Sequence, residues 1–171
     1  MFLNIIYMMK LKFIIPAVLI LLAGCSQKVH NPSSDHPSKN ASDSLYAVLG
    51  IKDVIKTGEK VVLKFAVHND RSTEKSFCKW HTPFEPLMSK YLDIKDENGN
   101  EALYKGPMAK RIMPPPADSY LVVKPKDILS SEIDLLKAYE LEAGKKYTVS
   151  YNSSAMSGIK VTNTVTFRYT K

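Results

Sequence analysis

Residues 61–68 read Val61-Val62-Leu63-Lys64-Phe65-Ala66-Val67-His68. Large apolar side chains occupy every second position, and the positions between them include a lysine and a histidine. A period of two places alternate side chains on opposite faces of an extended chain. The stretch therefore predicts a β-strand with one face buried in a core.

The same alternation recurs along the rest of the chain, and turn-forming residues separate the repeats. Asn98-Gly99 predicts a hairpin, because asparagine and glycine both tolerate positive φ. The prolines exclude a helix or a central strand within the loops that contain them, and a single helical turn is expected at residues 136–139. The pattern predicts an all-β fold, an immunoglobulin-like antiparallel β-sandwich over residues 45–171. Its further strands are expected at Leu92 and Ile94, at Leu129, Ile133 and Leu135, at Tyr147, Val149 and Tyr151, and at Val165, Phe167 and Tyr169.

Two aromatic residues suit such a sandwich. Trp80 follows a short predicted strand, where a buried tryptophan commonly fills the core. Tyr147 follows Ala143-Gly144 at the place of a tyrosine corner, in which the phenol bonds to the backbone a few residues upstream. Both residues are therefore expected to be buried.

The N-terminus has the pattern of a lipoprotein signal peptide. Lys10 and Lys12 precede an apolar run that is short for a membrane span, and the run ends in Leu22-Ala23-Gly24-Cys25. This tetrapeptide resembles the bacterial lipobox, which implies cleavage after residue 24 and acylation of Cys25. Ser26 follows, and by resemblance to enterobacterial sorting signals it favours the outer membrane of a Gram-negative cell.

Residues 25–44 are interpreted as the lipidated cysteine and a disordered tether, because they are almost entirely polar. His30 and His36 lie in this tether, and two isolated histidines are a weak metal signal. Without residues 1–24 the chain has 22 basic and 17 acidic residues, a formal charge of +5 against +7 for the whole sequence. These lysines are scattered, so no nucleic-acid surface is predicted. With Cys25 acylated, Cys78 has no partner for an intramolecular disulfide.

An ordered series of short segments resembles a known family. The series looks like the β-sandwich that precedes the catalytic domain in bacterial deuterolysin-type and peptidyl-Lys zinc metalloendopeptidases, and it spans residues 60–152. The segments that carry this resemblance are residues 80–85, 92–94, 98–99, 103–107, 111–114, 120–125, 133–135, 139–141 and 144–149.

The zinc site of those proteases does not accompany the resemblance. Their metal is held by His-Glu-x-x-His, whereas the four histidines of this chain are never four residues apart. The resemblance thus implies a pro-region-like sandwich that binds a protease as an inhibitor or chaperone. The alternative is a structural envelope lipoprotein that docks another envelope protein. An enzyme with a cryptic metal or cysteine site is the less favoured third interpretation.

Cys78 and His81 admit three interpretations: a catalytic pair, a metal site or a packed corner. On a strand, Cys78 and Trp80 share one face while His81 points to the other. Nothing nearby in the sequence supplies an oxyanion site or a residue to orient the histidine. We therefore interpret Cys78 as a core residue and His81 as the start of a rigid corner. Four acidic residues near the hairpin lack the spacing of a calcium loop.

Two loops are the candidate contact regions for a protein partner, residues 80–90 and residues 104–120. The second is long for a sandwich connection, and long loops in compact domains often carry function. No catalytic residue, metal ligand or cofactor is predicted. The possible protein-contact residues are Trp80, His81, Pro83, Phe84, Tyr104, Met108, Lys110, Arg111 and Met113.

Overall fold

The computed structural model describes residues 44–171. Ten strands and three single-turn helical segments form the regular secondary structure of this region. The strands are β1 (Tyr46–Gly50), β2 (Val54–Lys56), β3 (Val62–His68), β4 (Lys75–Cys78), β5 (Leu92–Asp96), β6 (Tyr120–Val123), β7 (Ile128–Asp134), β8 (Lys145–Tyr151), β9 (Lys160–Val161) and β10 (Val165–Thr170). The helical segments are two 3₁₀ turns, Ala117–Ser119 and Leu135–Lys137, and the α-helical turn α1 (Ser154–Ser157).

Two four-stranded sheets and one two-stranded sheet are formed. Their strand orders are β7-β3-β1-β9, β2-β10-β8-β5 and β4-β6. The predicted all-β class is confirmed, whereas the immunoglobulin-like topology stays a prediction. One expectation needs correction: β1 pairs with β9, and β2 with β10, in parallel, so the sheets are not purely antiparallel.

The predicted strand faces form the core. Leu63, Phe65 and Val67 are fully buried on β3, and Ile94 and Val149 are fully buried on β5 and β8. The alternation works as a predictor because each of these strands has one face against the core. The other fully buried large side chains include Tyr91, Leu92, Phe167, Ile55, Leu135 and Ile159.

The predicted hairpin after β5 is present, with one difference in its backbone. Gly99 has φ 84°, but Asn98 does not take a positive φ. The N–H of Gly99 donates to the Asp96 carbonyl, and the Asp96 carboxylate accepts from the N–H groups of Asn98 and Asn100. The side chain of Asp96 therefore stabilises the turn, and only glycine is required in the left-handed region.

Two smaller predictions can be compared directly with the structure. The helical turn expected at residues 136–139 is the 3₁₀ turn Leu135–Lys137, where the Asp134 side chain accepts from the N–H of Leu136. Tyr147 is buried, and its phenol oxygen accepts from the N–H of Glu142 at 2.8 Å. This is the upstream backbone bond expected of a tyrosine corner.

The predicted signal peptide, the acylated Cys25, and His30 and His36 of the tether lie outside the described residues. In residues 44–171 no helix has the length and apolar character needed to cross a membrane.

Candidate functional site

The corner after β4 buries the thiol and the indole together. Cys78 is 2% exposed and Trp80 is 8% exposed, while His81 is half-buried. His81 has φ 58°, in the left-handed region that residues other than glycine seldom adopt and that histidine tolerates better than most. This conformation turns the chain sharply, so that residues 82–85 run back over the core.

Hydrogen bonds hold this corner from both sides. The N–H of His81 donates to Glu85 Oε1 at 2.8 Å, and the His81 carbonyl accepts from the Tyr151 hydroxyl at 3.0 Å. The Thr82 hydroxyl donates to the Lys79 carbonyl at 2.6 Å. Burial, reinforced by the nearby Arg111 charge and partly offset by Glu85, lowers the pKa of His81. The imidazole is therefore neutral at neutral pH, in a corner whose contacts are structural.

An ion pair connects the two candidate contact loops. Arg111 Nη2 lies 2.6 Å from Glu85 Oε1, and the side chains are 18% and 7% exposed. The Arg111 guanidinium also lies over the Trp80 ring, 4.8 Å from its centroid. A sequence separation of 26 residues between Glu85 and Arg111 hides this pair from sequence analysis.

Further bonds attach the second loop along its length. The N–H of Ala109 donates to the Met88 carbonyl at 2.8 Å. The Tyr104 hydroxyl lies 2.9 Å from the Pro107 carbonyl and 3.3 Å from that of Leu87. Together with the Arg111–Glu85 pair these contacts attach residues 104–111, and the β4–β6 pairing attaches the chain again from Tyr120.

The same loop exposes apolar side chains to solvent. Met108 is 70%, Ile112 83% and Met113 62% exposed. We call these three side chains the apolar loop surface. The chain alternates here: Lys110 and Ile112 are exposed, and Arg111 between them turns inward. Ile112, the most exposed of the three, is absent from the sequence-based candidates, since no local sequence pattern shows which side chains of an irregular loop face solvent.

A cleft continues from one end of the apolar loop surface. Its volume is about 420 Å³, and its walls come from the second loop, β6 and the segment around α1. The lining is largely apolar and includes Met113, Pro115, Tyr120, Ala155 and Met156. Methionine-rich surfaces adapt readily to protein partners.

The sequence-based contact residues divide into three groups by burial. Met108, Lys110 and Met113 are exposed and can touch a partner directly. His81, Phe84, Tyr104 and Arg111 are half-buried. Trp80 and Pro83 are buried, so they support the loops from beneath and present little surface.

Cys78 is the one cysteine among the described residues, and its thiol is buried. Cys78 is unpaired, and within residues 44–171 no three His, Cys, Asp or Glu side chains cluster in a way that could hold a metal ion. The Tyr91 hydroxyl is fully buried without a hydrogen-bond partner among the described residues, and burial strongly raises its pKa.

Comparison with known proteins adds no relative. No family model matches the chain, and no curated protein matches it.

Proposed function

We propose that the chain is a lipid-anchored, non-catalytic binding protein of the bacterial cell envelope, which docks a protein partner through the apolar loop surface. One observation carries the proposal. Met108, Ile112 and Met113 are exposed on a loop that an almost buried ion pair attaches to the fold.

Exposed apolar side chains cost solubility, and several of them on one loop can mark an interaction site. A loop that is already ordered loses little conformational entropy when it binds, so its contacts contribute fully to affinity. The Arg111–Glu85 pair and the Met88–Ala109 bond supply that order. The apolar loop surface therefore combines exposure with rigidity.

The anchor and the location in the proposal come from the sequence of residues 10–26. An acylated Cys25 would hold the chain at the outer membrane, since several acyl chains bind far more stably than one. A Cys25→Ala variant should leave the membrane fraction and appear in the soluble one. If it stays with the membranes, the lipid anchor is wrong.

The partner has two forms in this proposal. The resemblance to the sandwich of zinc metalloendopeptidases supports a protease, bound in an inhibitor-like or chaperone-like manner. The alternative partner is another envelope protein, which would make this a structural lipoprotein. Catalysis by a cryptic metal or cysteine site is the least supported function.

Site-specific crosslinking in intact cells tests the proposal. A photoreactive amino acid at position 112 should give a defined adduct, identified by mass spectrometry. The same group at position 54 is the matched control, because Val54 is an exposed apolar residue, 47% accessible, on β2. Adducts at both positions, or at neither, contradict a specific surface. A protease in the adduct supports the inhibitor or chaperone form, and an envelope protein supports the structural form.

A further inference from the structure

Strand β7 is the longest open edge among the described strands. It has seven residues and ends its sheet, whereas the terminal strands β9 and β2 have two and three. The edge of β5 is covered, because the chain returns along it and the N–H of Ala102 donates to the Ile94 carbonyl. Proteins usually shorten, cover or charge such edges. Residues Ile128–Asp134 contain no proline and no lysine, and their only charges are Glu132 and Asp134 at one end of the strand.

The alternation of hydrogen-bonded residues along β7 shows which of its backbone groups are free for another strand. The N–H of Leu135 donates to the Val61 carbonyl, and the N–H of Asn69 donates to the Asp127 carbonyl. The backbone N–H and C=O groups of the odd-numbered residues of β7 therefore point towards β3. In an antiparallel pair the bonded positions alternate. The N–H and C=O groups of Ser130 and Glu132 therefore point away from the sheet.

A groove lies beside this edge. Its volume is about 570 Å³, which is within the range of ligand sites. One wall is the end of β7, with Glu132, Ile133 and Asp134, and the other is the segment from Pro83 to Met88. The Ser131 hydroxyl donates to the Pro83 carbonyl at 2.6 Å and fixes that segment beside the strand. The groove is thus open along the backbone that could accept a partner strand.

The charges of the lining select among possible occupants. The lining has three carboxylates, Glu85, Glu132 and Asp134, and one ammonium, Lys137. Arg111 neutralises Glu85, and no ion pair joins Glu132 to another described residue. Among the lining groups two carboxylates remain against one ammonium, and this favours a basic occupant even though Lys64 of β3 lies opposite Glu132 in register. A second copy paired through β7 would instead bring the Glu132 and Asp134 side chains of both chains to one seam.

We propose that β7 and the neighbouring groove bind an extended peptide segment of another protein, which adds as a strand to β7. Its main chain bonds to Ser130 and Glu132, its apolar side chains contact the wall formed by Phe84, Pro86 and Met88, and a lysine or arginine faces Glu132. This site goes beyond the proposed function, because it needs neither the lipid anchor nor the apolar loop surface.

The test selects ligands from a library of random peptides as long as β7, with the full chain purified in detergent as the target. The selected peptides should be apolar with at least one basic residue. They should slow hydrogen exchange at the amides of Ser130 and Glu132 in the wild-type chain. Glu132→Lys should weaken binding of the selected peptides. Ile112→Ser should leave that binding unchanged, which separates this site from the proposed function.

A matched pair of variants tests the backbone contact. Ser130→Pro removes an outward N–H that β3 does not use, and should weaken binding by about tenfold or more, since it leaves a buried acceptor unpaired. Ser130→Ala keeps that N–H and should bind as the wild type does. Unchanged thermal unfolding shows that each variant is folded. If Ser130→Pro does not fold, exchange protection in the wild type and the Glu132→Lys result decide the question.

Several results would overturn the proposal. These are failure to select any peptide that competes for one site, protection located at residues 108–113 in place of β7, and equal binding by the Ser130→Pro and Ser130→Ala variants. A dimer that protects β7 without peptide would make a second copy the occupant.

Discussion

The guanidinium of Arg111 lies over the indole ring of Trp80, 4.8 Å from its centroid. The same guanidinium is 2.6 Å from the Glu85 carboxylate. One side chain thus joins the corner after β4 to the middle of the long loop. Since Arg111 sits between the exposed Lys110 and Ile112, its inward position is what presents Ile112 to solvent.

The first prediction concerns this ion pair. Arg111→Met keeps much of the side-chain length but leaves the Glu85 carboxylate, which is 7% exposed, without its cation. We expect the free energy of unfolding to fall by roughly 3 kcal/mol, because an uncompensated buried charge is costly. Urea unfolding at neutral pH measures this, and trypsin should also cleave after Lys110 faster in the variant.

Lys105→Met is the matched control for that prediction. Its ion pair with Glu140 has a similar length, 2.7 Å, but the two side chains are 57% and 52% exposed. Exposed pairs contribute little, so the loss should stay below about 1 kcal/mol. Equal losses in the two variants would mean that the Arg111–Glu85 pair is no more important than a surface contact.

The second prediction separates stability from binding on the apolar loop surface. Ile112→Ser and Met113→Ser change side chains that are 83% and 62% exposed. Substitutions at such positions change the free energy of unfolding by about 0.5 kcal/mol or less. We expect normal urea unfolding together with loss of the crosslinked adduct in cells, with the photoreactive group placed at position 113 for Ile112→Ser and at position 112 for Met113→Ser. Val54→Ser is the control, and it should keep both the stability of the wild type and the crosslinked adduct. A Val54→Ser variant that also lost the adduct would argue against a specific surface.

The strands β3, β5, β7, β8 and β10 could be predicted from the sequence for a simple reason, whereas β1, β2, β6 and β9 were not expected. Each strand with one buried face repeats a large apolar residue at every second position, as in Leu63, Phe65 and Val67. That signal is local, so it needs no knowledge of partners. The hairpin at Gly99 was predictable on the same ground, because a turn is specified by adjacent residues.

For the candidate site, the sequence could indicate only which two loops form it, residues 80–90 and residues 104–120. Which side chains face inward depends on contacts between residues far apart in sequence, such as Glu85 with Arg111 and Ser131 with Pro83. The parallel pairings of β1 with β9 and β2 with β10 have the same origin, since they join segments from opposite ends of the domain. Sequence patterns near Trp80 could indicate burial there, but they could not show that Arg111 covers it.

The third prediction is a pH dependence at Tyr151. Its hydroxyl lies 3.0 Å from the His81 carbonyl and 2.7 Å from Ser157 Oγ. Burial raises the pKa of Tyr151 to about 12, with the Ser157 hydrogen bond acting in the opposite direction. The native state therefore holds the proton more tightly than the unfolded chain, whose tyrosines titrate near 10. The stability from this group is complete below about pH 10 and is lost as the pH rises towards 12, at up to about 1.4 kcal/mol per pH unit.

Tyr151→Phe tests that dependence by removing the titrating group. At neutral pH the variant should lose about 1 kcal/mol, because the hydroxyl no longer bonds to His81. Between pH 10 and pH 12 it should lose less stability than the wild type, since one ionisation is absent. Urea unfolding at a series of pH values measures both effects. Tyr120→Phe is the control, because Tyr120 is 44% exposed; a Tyr151→Phe curve parallel to the wild type would contradict the assignment.

The fourth prediction tests whether Cys78 is a core residue. Cys78 is 2% exposed, so a thiol reagent can reach it only when the chain opens locally. In a Cys25→Ala chain, where Cys78 is the one thiol, labelling should be at least about 100-fold slower than in urea. Cys78→Ala should cost about 1 kcal/mol through a small cavity, and Cys78→Ser should cost more because it buries a hydroxyl. Labelling of the native chain at the rate of the unfolded one would identify an accessible thiol. That result would return Cys78 and His81 to consideration as a reactive pair, against the non-catalytic function proposed here.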